Sequence, residues 1–460
     1  MGYTVKNLFK KNDIIDLKIE DVTIEGVGVG RYMGIAVFVP HTAVGDFIKA
    51  RIIKVKPSYL IGKIENILAP SEDRVEPDCK ISDKCGGCVF RHISYSAELK
   101  IKQKQVYDAL TRIGGFKDIC IDNIIGSEKI LNYRNKVQVP VGYDSAGNLI
   151  SGFYGNHSHR IVSCDECFLH PKIFDEIITY IKKWMNQNNV SAYDEKTGQG
   201  LVRHIYLRCA ENGQEVMLCM VINGRKLPMS DSFVDSITSK FECVKSIMIN
   251  VNAKATNVIL GEGFVTLFGK DYILDSLCGM KFKISPDSFY QVNHDQAQVL
   301  YNIGAEVLSP TEDDSLVDLY CGTGTIGLSM AKKVKNLLGV EIVPSAVKNA
   351  IENAKINLVD NAEFICGDSG SVFGKNIKNM DRSGIVIVDP PRKGCSDELI
   401  EDLIKILPSK ILYISCNPAT LAKDLKKLCD SGEYKIDRVV PVDMFPRTAH
   451  VETVALVSKI

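Results

Sequence analysis

The sequence predicts a multidomain α/β protein in three parts: a small OB-like β-barrel, a middle α+β region and a Rossmann-like doubly wound sheet. Three observations predict it. The 460 residues exceed what one hydrophobic core ordinarily serves, so two or three cores are expected. Residues 16–68 are short alternating apolar segments broken by Gly26, Gly28, Gly30, Gly34 and Gly45, which reads as a twisted barrel. Beyond residue 285 apolar strands alternate regularly with helical stretches, the pattern of parallel βαβ units.

Composition excludes several classes. With 45% hydrophobic and 24% charged residues, the chain is neither disordered nor fibrous. It has no apolar run of about 18 residues or more, and its lysine-bearing start lacks an apolar signal core, so no membrane association and a cytoplasmic location are expected. Fifteen cysteines in such a chain do not read as a disulfide framework, because cytosolic thiols stay reduced; most are expected to pack in cores. The 56 basic and 56 acidic residues cancel, so any nucleic-acid site is a local patch rather than a net field.

Taken in order, the barrel segment carries ten basic against seven acidic residues over positions 1–70. That mild excess suits gripping a nucleic-acid backbone, with simple packing against a neighbour as the alternative. Residues 70–77 form a polar, proline-bounded linker into Cys79, Cys85, Gly86, Gly87 and Cys88. Three thiols on a glycine turn suit one inorganic centre, given a fourth ligand from elsewhere. Residues 96–110 read as a basic helix. Between 132 and 267, strand-like runs at 136–141, 204–209 and 216–222 accompany one clear helix at 173–185.

Residues 316–327 combine an apolar strand, a glycine turn and a helix start, with Gly322, Gly324 and Gly327 fitting G-x-G-x-x-G. Such glycines let backbone approach a ligand, but the pattern serves several nucleotide cofactors. The strand at 337–340 ends in Glu341, a carboxylate suited to the two hydroxyls of an adenosine ribose, and that at 362–366 ends near Asp368. The strand at 384–388 runs into Asp389-Pro390-Pro391-Arg392-Lys393-Gly394, and that at 410–414 into Ser415-Cys416-Asn417-Pro418. Five polar motifs at five strand carboxyl ends point to one shared site, because ligands of open α/β sheets bind at that edge. Ordinary turns explain any two of the five, and all five poorly. Cys416 precedes Asn417 as a helix N-cap and Pro418 as the first helical residue, so a helix terminus is expected to depress its pKa.

Residues 415–424, the Asp389 to Gly394 segment, and Asp443-Met444-Phe445-Pro446 with His450-Val451-Glu452-Thr453 together resemble the RNA uracil-5 methyltransferases that carry an amino-terminal TRAM domain. The resemblance covers nearly the whole chain and is closest to the iron–sulfur-containing enzymes acting on 23S ribosomal RNA. It implies an S-adenosylmethionine-dependent enzyme in which Cys416 adds to carbon 6 of a uridine and Glu452 removes the carbon 5 proton. Uracil carbon 5 is too weak a nucleophile to attack a sulfonium methyl unaided, and a thiolate bonded at carbon 6 supplies the missing electron density. The resemblance also implies Asp389 at the pyrimidine or cofactor edge, and Gln291, within Ser288-Phe289-Tyr290-Gln291-Val292-Asn293, beside the cofactor. Tyr320, Glu341 and Asp368, with Gly322 on the glycine turn, are implied around its methionine, ribose and adenine portions. Read alone, Glu452 is a surface carboxylate near a chain end and Gln291 a polar residue entering a helix.

A fourth metal ligand is implied near residue 165, where Cys167 is preferred to Cys164 because Phe168 and Leu169 follow it. Cys79, Cys85, Cys88 and Cys167 are then expected to hold a 4Fe–4S cluster, with structural zinc as the alternative. The implied domains are a TRAM barrel at 1–72, a middle domain at 73–95 and 124–275, and a methyltransferase domain at 96–123 and 276–460. The target uridine is expected to leave its stack, with Tyr133-Arg134-Asn135-Lys136 against the RNA. Lys100, Lys102 and Lys104 are weaker candidates, since a lysine-rich helix face is more often solvated. The expected partner is 23S ribosomal RNA, with no obligatory protein partner. Three rivals remain: an enzyme for the T-loop uridine of transfer RNA, a non-catalytic RNA-binding or chaperone relative, and a nucleotide-dependent oxidoreductase that leaves Cys416 and Glu452 without purpose.

Overall fold

The computed structural model describes residues 8–156, 158–376 and 384–460; positions 1–7 of the expected barrel segment lie outside them. Strands β1 (Ile14–Val22), β2 (Gly28–Tyr32), β3 (Ile35–Val39), β4 (Phe47–Val55) and β5 (Tyr59–Ala69) close into a barrel in the order β1-β2-β3-β5-β4. Period-two alternation explains it: Ile15, Leu17 and Ile19 of β1 and Ile48, Ala50 and Ile52 of β4 are buried inside, and the residues between them face outward. The linker is tied back by Arg74, whose guanidinium lies 2.6 Å from the buried Asp46.

Helix α1 (Tyr95–Arg112) starts at Ser94, whose hydroxyl accepts from the Ala97 N–H. Its Val106, Ala109 and Leu110 share one core with Val317, Leu319 and Tyr413. The helix therefore packs on the carboxy-terminal sheet although it precedes the middle region in sequence.

The middle region is one seven-stranded sheet made of β6 (Lys136–Tyr143), β7 (Leu149–Tyr154), β8 (Ile161–Ser163), β9 (Val202–Cys209), β10 (Val216–Ile222), β11 (Val244–Val251) and β12 (Gly263–Gly269), in the order β12-β11-β10-β9-β6-β7-β8. Helices α2 (Lys172–Gln187) and α3 (Ser230–Lys240) share its core. Helix α2 is the one that periodicity finds, with Phe174, Ile177, Ile178, Ile181, Trp184 and Met185 buried. Helix α3 escapes a sequence reading because it buries only Phe233 and Ile237 and opens on Ser230-Asp231-Ser232, which reads as a turn.

A hairpin of β13 (Ile273–Leu277) and β14 (Met280–Ile284) leads to α4 (His294–Leu308) and the carboxy-terminal sheet. Its strands are β15 (Ser315–Leu319), β16 (Asn336–Glu341), β17 (Ala362–Cys366), β18 (Ile385–Val388), β19 (Lys410–Ser415), β20 (Tyr434–Val442) and β21 (Glu452–Lys459), ordered β17-β16-β15-β18-β19-β21-β20. Interleaved helices are α5 (Thr325–Met330), α6 (Pro344–Ile356), α7 (Ser369–Asn376), α8 (Asp397–Ile406) and α9 (Pro418–Asp430). Strands β15 to β19 run parallel, as the alternation predicts. The sheet is not purely parallel, however: β21 lies antiparallel to both β19 and β20. That reversal brings the start of β21 to the end of β19, and Ser415 pairs with Thr453. Cys416 and Glu452, one residue beyond that pair on each strand, therefore meet at the sheet's carboxyl edge. Among the described residues no helix is long and apolar enough to cross a membrane.

Candidate active site

A cleft of about 900 Å³ opens at this edge, and its wall includes Cys416, Glu452, Asp389, Gln291, Tyr320, Gly322, Glu341 and Asp368. All eight residues singled out for catalysis and cofactor binding thus face one space. Each is delivered by a strand end or the turn after it, apart from Gln291, which precedes α4. Arg392, Phe445, Thr448 and His450 line the same cleft. They fall inside or beside the segments that carry the family resemblance, but nothing in their residue types alone assigns them a role.

At the glycine turn, the Gly322 N–H donates to Glu341 Oε2 at 3.1 Å and the Val343 N–H to Oε1 at 2.9 Å, which fixes the carboxylate over the turn. A Cβ on Gly327 would come within 2.8 Å of Asp318 Oδ2 and 2.9 Å of Leu337 Cδ1, so only glycine lets α5 sit this close to the sheet. Tyr320 has φ 68°, a left-handed backbone that a tyrosine adopts only when its surroundings impose it.

The chemical end of the cleft is an acidic cluster out of water. Glu452 is 4% exposed; burial, with Asp389 adding to it, lifts its carboxyl to about 8 against the pull of Arg392. Burial alone lifts Asp389 to about 7. The Cys416 thiol is raised to about 11, first by burial and then by Glu452 and Asp389, with Arg392 opposing. This overturns the expected depression. Asn417 does cap α9, accepting from the Ala419 N–H at 3.1 Å, and Pro418 does open it. The helix terminus is outweighed by low-dielectric surroundings and two neighbouring carboxylates.

Residues 244–460 match the family described as tRNA (Uracil-5-)-methyltransferase, and residues 9–64 match the TRAM domain. An uncharacterized RNA methyltransferase of Halalkalibacterium halodurans is 42% identical, with 97% of both chains covered. One of Clostridium tetani is 43% identical over 98% of this chain and 97% of its own. The chain belongs to the TRAM-domain RNA (uracil-5-)-methyltransferases. Among solved structures, the Pyrococcus abyssi tRNA (uracil-54, C5)-methyltransferase in complex with S-adenosyl-L-homocysteine is similar over 96% of this chain and 99% of that one, with a TM-score of 0.78 and 31% identity.

The glycine edge of this methyltransferase fits S-adenosylmethionine. A Cβ built on Gly322 would meet nothing within 4 Å, so the turn borders open space, and Glu341 and Asp368 supply acceptors beside it. The residues expected to face RNA divide. Arg134 and Lys136 line the cleft. Tyr133 and Asn135 are buried instead: the Tyr133 hydroxyl donates to Pro446 O at 2.9 Å and Asn135 Nδ2 to Gln291 O at 2.9 Å, as the strand's alternation requires. Of the three helix lysines, Lys100 is exposed and Lys104 is paired with Asp21 and Asp108.

Lys102 is not an RNA contact. It is fully buried between Glu98 at 2.7 Å and Asp443 at 2.6 Å, and it also donates to Phe445 O at 3.2 Å. Burial, with Asp443 adding to it, lifts Glu98 to about 7 even against Lys102. Lys102→Met removes the one cation that bridges the two buried carboxyls, leaving Arg447 beside Glu98 at 3.7 Å and no ion-pair partner for Asp443 among the described residues. We expect it to destabilise the protein by about 3–5 kcal/mol, read as a lower midpoint in urea; an unchanged midpoint removes this role.

The cysteines converge without closing on a metal. Burial lifts the Cys85 thiol, with Cys167 and Cys79 adding to it, and lifts Cys88 to about 11, with Cys167 and Cys85 adding to it. Cys167 thus faces both. Among the described residues no group of three or more His, Cys, Asp or Glu side chains is close enough to hold a metal ion as it stands. The donor set still suits thiolate ligands, since the Gly87 N–H donates to Cys85 Sγ and Arg91 Nε to Cys88 Sγ, each at 3.4 Å.

Proposed function

We propose that this enzyme methylates carbon 5 of a uridine in large-subunit ribosomal RNA through a covalent Cys416 adduct. The observation that carries the mechanism is the register of β19 and β21, which sets a cysteine and a buried glutamate side by side on one cleft wall. Cys416 Sγ bonds to carbon 6, and the carbon 5–carbon 6 π pair shifts onto carbon 5 and the ring carbonyl. Bound S-adenosylmethionine supplies an electrophilic methyl group. Glu452 then takes the carbon 5 proton, the carbon–sulfur bond breaks, and the ring double bond returns. Asp389 faces the same space and polarises the pyrimidine.

Ribosomal RNA is favoured by the combination of the barrel with the cysteine turn. The transfer-RNA reading is favoured by the similarity to the tRNA (uracil-54, C5)-methyltransferase. Large-subunit ribosomal RNA and transfer RNA transcripts, each incubated with enzyme and methyl donor and mapped for 5-methyluridine, separate the two. Label in ribosomal RNA alone is expected; label confined to the T-loop of transfer RNA overturns the assignment.

Cys79, Cys85, Cys88 and Cys167 are the residues that would hold a 4Fe–4S cluster, in a structural rather than redox role, because methyl transfer consumes no electrons. Protein purified without air is expected to be brown and to contain about four irons per chain. Colourless protein with stoichiometric zinc overturns this.

A further inference from the structure

Arg134 and Lys136 lie two residues apart where the chain enters β6, so their side chains leave one face of an extended backbone, toward the cleft that holds Cys416. Directly across the sheet, Lys136 pairs in register with Arg208 of β9. Like charges opposite one another destabilise a sheet. Arg208 donates to Ser285 O at 3.0 Å and Ser288 O at 2.9 Å and lies over the Tyr290 ring, but among the described residues no carboxylate forms an ion pair with it. Among the described residues, neither the Arg134 nor the Lys136 side chain has a hydrogen-bond or ion-pair partner. No carboxylate acts on Lys136 either: burial, Arg208 and Arg134 all push its ammonium down, to about 8. Two cations thus line the cleft wall, with the buried Arg208 directly across the sheet from one of them, in a chain of zero formal net charge. Enclosing an unpaired ammonium is unfavourable, and an anion arriving from outside removes the penalty.

We propose that Arg134 and Lys136 form an oxyanion-binding site whose occupant is a phosphodiester of the RNA beside the flipped uridine, an assignment that rests on the cleft being the site of uridine methylation. A nucleotide swung out of its stack carries its flanking phosphates to the pocket mouth. Arg134 also acts on His450, which contacts Arg392 and Phe445 in the lining of the cleft, and Arg392 in turn acts on Cys416. The cofactor's own carboxylate offers the same chemistry, and binding measurements tell the two apart.

The experiment measures equilibrium binding of ribosomal RNA, and separately of S-adenosylhomocysteine, to Lys136→Met, Arg134→Met and Lys136→Arg proteins. Each methionine variant is expected to bind RNA about tenfold more weakly. Each also flattens the slope of log affinity against log salt by about 0.7–0.9, and leaves S-adenosylhomocysteine affinity unchanged. A bound anion stabilises the Lys136 proton, so wild-type RNA affinity is full below pH 8 and declines as pH rises above it. Lys136→Arg keeps the affinity and loses this pH dependence, because a guanidinium stays charged, and that rescue separates the effect from misfolding. If only S-adenosylhomocysteine binding falls, the phosphate assignment is overturned; if neither falls, the site is. Binding is read without turnover, so failure here is distinguishable from failure of the methylation assay.

Discussion

Cys416→Ala is expected to abolish methyl transfer, with a fall in kcat on the order of 10⁴-fold or more, as when other covalent nucleophiles are deleted. S-adenosylhomocysteine binding and thermal stability stay near those of the wild type, because the half-buried thiol contributes little packing. The size of the loss follows from the electronics: without the carbon 6 bond, nothing makes carbon 5 reactive. Serine does not rescue, since its hydroxyl ionises far less readily than a thiol. The thiol's lift to about 11 adds that Cys416 is not a standing thiolate at neutral pH. On the proposed mechanism its proton leaves as the sulfur attacks. Asp389, lifted to about 7, is basic enough to accept it and leaves Glu452 free for the later step. Methyl transfer by the alanine variant at even a hundredth of the wild-type rate removes the mechanism.

Local pattern made much of this legible. The barrel follows from its alternation, and the five parallel strands end where apolar runs meet polar motifs. What sequence could not show depends on contacts made far along the chain. Glu452 looks like a terminal surface carboxylate until the antiparallel return of β21 buries it beside Cys416. Lys102 looks solvated because its partner Asp443 lies 341 positions away. The Cys416 pKa departs from the sequence expectation for the same reason: the helix terminus is written locally in Asn417 and Pro418, whereas the opposing carboxylates come from two other strands.

The loop before β21 explains why the intervening domains matter to the site. Its Asp443 and Phe445 are held by Lys102, its Pro446 by Tyr133, and its Met444 by Asn293 Nδ2 at 3.0 Å. The Arg447 carbonyl accepts from Val89 and Phe90, directly after the cysteine turn, and the Arg447 N–H donates to Glu98 Oε1 at 2.7 Å. The helix, the cysteine turn and the start of the middle sheet thus converge on the segment that carries Phe445, Thr448 and His450 into the cleft and delivers Glu452.

Glu452→Gln is expected to trap the enzyme on its RNA as a covalent, methylated adduct that survives denaturant, while multiple turnover falls on the order of 10²–10⁴-fold. The amide keeps the shape of a side chain that is 4% exposed but cannot take a proton. Adduct formation is not impaired: near pH 7 the lifted carboxyl is already mostly neutral, so the neutral amide leaves the Cys416 thiol in much the same field. The pH dependence has a definite sign. With its carboxyl lifted to about 8, wild-type Glu452 is mostly protonated at pH 7 and gains base form as pH rises through 8. Release of product from the adduct therefore speeds up over that window and slows below it, whereas the glutamine variant shows no such rise. The check is a denaturing gel of enzyme with labelled RNA across pH 6–9, alongside single-turnover release. A glutamine variant that turns over normally and leaves no adduct would show that the carbon 5 proton departs by another route.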